Sequence, residues 1–286
     1  MGVDPVQLEL FQHRFTAIAE QRGERLRQTA SSVNIKERLD FTCALFDGRG
    51  GLVANAPHIP VHLGSMGDSV VSLLAAVARG ERPPLGPGDA VAANNPYNGG
   101  THLPDITVIT PVFAAPPPAS EPATSAAVGP TAQVPAVEPA ATQPLFFVAS
   151  RGHHGDVGGL TPGSMPPFSQ SIDEEGLLLD NATLLAEGHF DGPGWRERLA
   201  AGSWPVRDPD RLLADLQAQL ATNQLGATEL QALSNAKGSR RCGASSTGCK
   251  TDPTASTSMT AVSCPSNTSA YAGAAAVRGV GAVVTA

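Results

Sequence analysis

Three loops of the chain concentrate residues that bind metal ions or move protons. They are residues 34–40, 94–105 and 150–159. The second loop holds His102 and Asp105, an imidazole and a carboxylate three residues apart. Pro104 between them disfavours a helix, so a turn must bring the pair together. The third loop adds the neighbouring imidazoles His153 and His154, and the three loops together could therefore build one site.

The donor types point to a divalent metal. One of the two neighbouring histidines and a further carboxylate, from Asp40 or Asp156, would complete a mixed set of nitrogen and oxygen donors. Such a set suits Zn²⁺, Mn²⁺ or Fe²⁺ better than Ca²⁺ or Mg²⁺. A bound cation of this kind lowers the pKa of water from 15.7 to about 7. A second interpretation stays open: paired loop histidines are often only solvated, and a His-x-x-Asp pair can simply fix a turn.

Other candidate motifs give weaker predictions. His58 and His62 lie in the apolar segment 55–64, and such surroundings favour a packed loop that shapes a pocket, although both could also be ligands. No glycine-rich phosphate loop stands between a strand and a helix, so the chain is expected to have no ATP site of its own. Ser150 and Ser164 lack the turn pattern of a serine nucleophile.

The elements that must position these loops mix helices and strands without a regular alternation. Apolar spacing predicts helices over residues 4–29, 66–79 and 210–233, a hairpin over 41–54, and strands over 89–94, 106–113 and 145–151. This order favours the α+β class, with a mixed sheet and flanking helices.

Two segments differ from the rest in composition. Alanine and proline fill 18 of the 31 positions of residues 114–144, which predicts a disordered insertion between two neighbouring strands. Residues 237–286 contain no Leu, Ile or Phe, which predicts a disordered tail or one read out of frame. The remainder, residues 4–233, is predicted to form one domain.

Charge and hydropathy restrict the function classes. The net charge is −7 and no basic run occurs, so a nucleic-acid partner is not expected. No apolar run approaches the roughly 18–20 residues that a membrane span needs. The amino end has no basic-then-apolar leader pattern, and a cytoplasmic protein is expected.

Four motifs in this order resemble the hydantoinase B/5-oxoprolinase family. They are residues 34–46, 55–66, 99–105 and 150–167, and the resemblance covers residues 4–233 apart from the insertion. It implies an ATP-dependent hydrolase that opens a cyclic amide, most closely 5-oxo-L-proline to L-glutamate in the glutathione cycle. An A-type domain or subunit would use ATP, and the B-type part would complete the reaction at a metal site. Related N-methylhydantoinase and acetone carboxylase subunits are the alternative.

The resemblance also assigns residues. The implied metal ligands and catalytic residues are Asp40, His102, Asp105 and His153, with His154 as the rival for the last place. Arg151 is a candidate for a substrate carboxylate or phosphate, together with Asn98 and Thr101, although a structural salt bridge would suit Arg151 equally.

The chain also departs from the family. Members continue for about as many residues again beyond the last predicted helix, so the chain resembles a truncated member. An oligomer with an A-type partner is expected, or else a non-catalytic scaffold.

Overall fold

The computed structural model describes residues 4–56, 59–114 and 143–242. Five α-helices are present in this part of the chain: α1 (Pro5–Thr29), α2 (Val33–Lys36), α3 (Pro60–Ala78), α4 (Gly192–Ala200) and α5 (Pro209–Cys242). Six strands accompany them: β1 (Phe41–Asp47), β2 (Leu52–Asn55), β3 (Ala90–Ala93), β4 (Asp105–Val112), β5 (Phe146–His153) and β6 (Ala182–Leu185). None of the helices in these ranges is long and apolar enough to cross a membrane.

The strands form one open sheet in the order β2-β1-β5-β4-β3-β6. The α+β class is confirmed, but the expected mixed sheet is wrong in detail, because all five strand pairs are antiparallel. The reason lies in the connections: β1 turns directly into β2, and β4 and β5 lie side by side. Antiparallel neighbours need no helical crossover between them.

The two strands that flank the Ala/Pro insertion pair as predicted. Val112 of β4 lies opposite Phe146 of β5, and the Leu145 N–H donates to the Val112 carbonyl. Residues 115–142 and 243–286 lie outside the described residues, so their expected disorder stays a prediction.

Helices cover both faces of the sheet. On one face, α3 packs Met66, Val70 and Leu73 against β1, β3, β4 and β5. On the other face, α1, α4 and α5 pack against the remaining side chains of the same strands. Alternate residues of a strand therefore face different helices, which decides the site described below.

Two helix boundaries differ from the predictions. Helix α3 begins at Pro60 instead of residue 66, with proline in its first turn, where its missing N–H is not needed. Helix α5 continues to Cys242, six residues into the segment predicted to be a tail, because extending an existing helix needs no new nucleation. The sequence analysis did not predict β6 and α4.

Arg22 of α1 is fully buried and connects α1 and α5 to the sheet. Its guanidinium donates to the carbonyls of Ala44 and Ala149, both at 2.8 Å, and to Asn223 Oδ1 at 2.6 Å. A longer bond of 3.4 Å reaches the Thr222 carbonyl. No carboxylate lies within ion-pair distance of it among the described residues. Burial lowers the pKa of Arg22 below its ordinary value.

Candidate metal centre

The antiparallel register brings the predicted loops together at one edge of the sheet. β5 runs opposite to β1 and β4, so its last residue meets the beginnings of both. His153 lies directly opposite Asp105, and Gly152 lies opposite Phe41, the residue after Asp40. The His153 N–H donates to the Asp40 carbonyl at 2.9 Å. Side chains from three distant segments therefore face one point.

Asp105 is the centre of this cluster, and its side chain is fully buried. Its carboxylate oxygens lie 3.0 Å from His153 Nδ1, 3.1 Å from His102 Nδ1 and 3.1 Å from His62 Nε2. The Thr101 hydroxyl donates a very short hydrogen bond to the same carboxylate. Burial raises the pKa of Asp105, but the hydrogen bonds from three imidazoles and the hydroxyl outweigh it. The pKa lies far below its usual 3.8, so the group is an anion at neutral pH.

His102 and His153 also approach each other. Their facing atoms, Nε2 and Nδ1, are 3.1 Å apart, and the ring centroids are 4.9 Å apart. Hydrogen bonding to Asp105 is the main cause that raises the pKa of His102, and burial opposes it. One ligand atom from each of His102, Asp105 and His153 lies within 4.8 Å of the others.

Asp40 stands at the open side of the cluster. Its carboxylate oxygens lie 3.7 Å from His62 Nε2 and 3.8 Å from His153 Nδ1. The side chain of Asp40 is 34% exposed, and that of His102 is 35% exposed. The cluster is therefore closed around Asp105 and open to solvent beside Asp40 and His102.

The residues fit a divalent cation. Metal–ligand distances of about 2.0–2.2 Å place neighbouring ligand atoms about 3.0–3.5 Å apart in octahedral or tetrahedral coordination. With one ligand atom per residue, His153 Nδ1 lies 3.0 Å from Asp105 Oδ1 and 3.1 Å from His102 Nε2, and both separations match this spacing. A buried carboxylate with several imidazole partners is a donor set that suits Zn²⁺, Mn²⁺ or Fe²⁺.

His62 is the member of the cluster that the sequence analysis left in an apolar loop. It lies instead in the first turn of α3, with a side chain that is 2% exposed, and its Nδ1 lies 3.4 Å from Thr42 Oγ1. A helix predicted to begin at Pro60 would have brought this imidazole to the sheet edge. His58 lies outside the described residues.

His154 is turned away from the cluster, unlike its neighbour His153. Its ring is buried on the α5 side of the sheet, where Nε2 lies 3.1 Å from Gln219 Oε1. Burial is the main cause that lowers the pKa of His154. Adjacent residues of an extended segment point to opposite faces, so His154 does not join the centre.

Arg151 is fully buried, and protein groups satisfy its guanidinium. Its guanidinium donates to Thr107 Oγ1, to the hydroxyls of Ser65 and Ser69, and to the Gly99 carbonyl. No salt bridge of Arg151 is observed in the described part of the chain, and its expected contact with a substrate stays a prediction. Burial lowers the pKa of Arg151 to about 10. The residue ties β4 and β5 to α3 and to the loop before His102.

We expect Arg151→Lys to lower the free energy of unfolding by about 2–4 kcal/mol. One ammonium group cannot reach all four acceptors, which lie on three elements. Each lost hydrogen bond to a charged donor costs about 1.5–3 kcal/mol. Urea unfolding followed by circular dichroism measures it. Arg79→Lys, at an exposed guanidinium, is the matched control and should change stability by less than about 0.5 kcal/mol. Equal effects of the two variants would contradict this interpretation.

The other two expected substrate contacts have partners within the protein. Asn98 lies in the 3-10 turn Pro96–Asn98 and donates to both carboxylate oxygens of Asp180, at 2.9 and 3.0 Å. Thr101 orients Asp105. The tight approach of this loop to α3 depends on Gly99, whose φ is +85° and whose Cβ, if present, would collide with the backbone of Asp68 and Ser69.

The fold and the cluster together define a class: an antiparallel α+β domain with a histidine and aspartate centre at the ends of its strands. Residues 4–252 match the model of the family described as hydantoinase B/oxoprolinase. The chain belongs to this family. It is 42% identical over 233 residues to the 5-oxoprolinase of Dictyostelium discoideum, a match that covers 82% of this chain and 16% of that protein.

The chain spans about one sixth of the length of the curated 5-oxoprolinases that it matches. Two solved structures share its fold. The nucleotide-free acetone carboxylase structure aligns with a TM-score of 0.64 at 17% identity, over 80% of this chain and 26% of that one. The ATP-dependent caprolactamase from Pseudomonas jessenii aligns with a TM-score of 0.63 at 22% identity, over 85% of this chain and 36% of that one.

Proposed function

We propose that this chain carries the hydrolytic metal centre of an ATP-dependent cyclic-amide hydrolase that opens 5-oxo-L-proline to L-glutamate, a step of the glutathione cycle in the cytoplasm. The observation that carries the proposal is the convergence of His102, Asp105 and His153 at one point. Membership of the hydantoinase B/oxoprolinase family and the identity to 5-oxoprolinases support the choice of reaction.

The residues divide into those that would bind the cation and those that would act on the substrate. Asp105, His102 and His153 would hold the cation, and His62 and Asp40 are the nearest further donors. When bound, a divalent cation supplies Lewis acidity and lowers the pKa of a bound water. The buried, negatively charged carboxylate of Asp105 would partly neutralise the charge of a bound cation.

Asp40 is the residue best placed to move a proton. It is the most loosely held acid of the cluster, at 3.7–3.8 Å from its imidazole neighbours, and it faces the open side from which a substrate would arrive. A carboxylate at that position can accept a proton from an attacking water and deliver it to the leaving amide nitrogen. His102, equally exposed, lines the same opening and would orient the substrate oxygen.

Activation of the amide would take place on a partner. The sequence holds no phosphate-binding loop, so a hydantoinase A-type domain or subunit would bind ATP and transfer its γ-phosphoryl group to the amide oxygen, with release of ADP. Attack of water and departure of the ring nitrogen would then leave an acyl phosphate, and a second water would cleave it to L-glutamate and inorganic phosphate. The opening beside Asp40 and His102 is then where the activated lactam would enter. We propose that the two parts act as one oligomeric assembly.

The test uses the full chain together with an A-type partner. We expect about one equivalent of Zn²⁺, Mn²⁺ or Fe²⁺ per chain and ADP release that depends on 5-oxo-L-proline, both lost in His102→Ala. His13→Ala, at an exposed histidine of α1, is the matched control and should keep both. Metal-free wild-type protein of unchanged stability would refute the metal centre.

Two alternatives are outcomes of the same experiment. The structural match to acetone carboxylase favours a test of acetone and hydantoin as substrates in parallel with 5-oxo-L-proline. Turnover of acetone or hydantoin without turnover of 5-oxo-L-proline would change the proposed substrate and leave the proposed metal centre in place. Association with the A-type partner without turnover of any substrate would identify a non-catalytic scaffold.

A further inference from the structure

We infer that Gln219 of α5 is a positioning residue of the metal centre, which it serves from the opposite face of the sheet. This inference rests on the proposed function. Gln219 is fully buried, and its amide contacts the two strands that carry Asp105 and His153. No motif in the sequence pointed to this residue.

Two of the three contacts of Gln219 involve residues next to a ligand along the chain, and the third involves the strand that carries His153. Its Nε2 donates to the carbonyl of Ile106, the residue after Asp105, at 3.1 Å. The same nitrogen donates to the carbonyl of Ser150 on β5 at 3.0 Å. Its Oε1 accepts from Nε2 of His154, the residue after His153, at 3.1 Å.

The amide is fully used by these contacts. A primary amide offers two N–H donors and one carbonyl oxygen, and all three are engaged. Gln219 stands on a helix whose sheet-facing side also carries leucines such as Leu212 and Leu216 and, one turn further along, the buried amide of Asn223. A buried amide is costly without its bonds, so an apolar residue would serve packing alone equally well. The arrangement instead indicates that the side chain fixes the position of β4 relative to β5.

The bonds act on the ligands through the backbone. His154 is fixed twice, since its N–H donates to the Pro104 carbonyl at 2.9 Å and its ring is held by Gln219. With His154 and Ile106 both bound to one amide, the backbone positions of His153 and Asp105 cannot shift independently. A coordination site tolerates errors of only about 0.5 Å, so this coupling matters for affinity.

Gln219 lies on the opposite face of the sheet from the ligands and cannot bind the cation itself. Asp105 and His153 project to the α3 side, whereas Ile106, Ser150 and His154 face α5. The side chain therefore cannot contact substrate or metal. Its role is to support the residues that do. Mutation of such a supporting residue commonly lowers metal affinity 10–100-fold.

The test replaces Gln219 by methionine, which keeps the length and volume of the side chain and removes its three hydrogen bonds. We expect the affinity of the purified full chain for Zn²⁺ or Mn²⁺, titrated against a chromogenic chelator, to fall about tenfold or more. Gln219→Glu is the second variant, because it keeps the length and an acceptor for His154 while the ionised group has no N–H for the two carbonyls.

Gln231→Met is the matched control. Gln231 lies three turns further along α5 and donates to the carbonyl of Phe113, just beyond the far end of β4, at 3.2 Å. This variant should bind the metal as the wild type does. Wild-type affinity in a folded Gln219→Met or Gln219→Glu protein overturns the inference.

Loss of the fold in both Gln219 variants also overturns the inference, because Gln219 would then support the core and not the centre. If the wild-type chain binds no divalent cation, the proposed function fails instead. The two failures are thus distinguishable.

Discussion

Asp105→Asn is expected to lower the affinity of the chain for its divalent cation by well over a hundredfold, beyond the 10–100-fold effect typical of supporting residues. Asp105 is the only residue of the cluster within about 3 Å of the three imidazoles of His62, His102 and His153. An amide of the same shape is neutral and a weak ligand, and its N–H₂ group would face an imidazole nitrogen. Isothermal titration with Zn²⁺ or Mn²⁺ measures the effect.

The pKa of Asp105 sharpens this prediction. Since the pKa lies far below its usual value, the wild-type carboxylate is charged throughout the pH range of a titration, and the variant removes a full negative charge. Asp89→Asn is the matched control, because the Asp89 carboxylate also accepts hydrogen bonds, from the N–H groups of Gly86 and Glu187, but lies at the end of β3 away from the centre. Its metal affinity should equal that of the wild type. An Asp105→Asn protein that binds the cation normally would remove Asp105 from the ligand set.

Arg22→Ala is expected to lower the free energy of unfolding by about 3–5 kcal/mol. The guanidinium spans the directly opposite residues Ala44 of β1 and Ala149 of β5 and also binds Asn223 of α5. Truncation leaves a cavity of most of an arginine and removes the donor from Asn223 Oδ1. The close packing of α1 on α5 prevents collapse, since Gly226 already touches the Arg22 side chain.

Urea unfolding of the wild type, Arg22→Ala and Arg25→Ala tests this prediction. Arg25 lies on the exposed face of the same helix and serves as the control, with an expected change within about 0.5 kcal/mol. A midpoint for Arg22→Ala equal to that of Arg25→Ala would show that the buried hydrogen bonds contribute nothing net, as can happen when the desolvation of a charge cancels them.

The sequence predicted the elements of the fold because their signals are local. The Asp4 carboxylate caps α1 by accepting from the Val6 N–H, and the strands beside the insertion pair with each other as predicted. Helix α3 begins earlier than the apolar spacing predicts, because Pro60 and Gly64 are typical of loops and hide the helical pattern of residues 60–65. Its true start matters, since it carries His62 to the site.

The sequence also determined the donor types: two imidazoles and a carboxylate, from the 94–105 and 150–159 loops, meet as proposed. Only the tertiary structure decided which histidines take part. His153 and His154 are alike in sequence, yet the period of two along a strand sends one to the centre and the other to Gln219. The tertiary structure also buries Arg151 and places His62, which lies in α3, beside Asp105. Register and helix packing set these outcomes, and both depend on contacts between residues far apart in the chain.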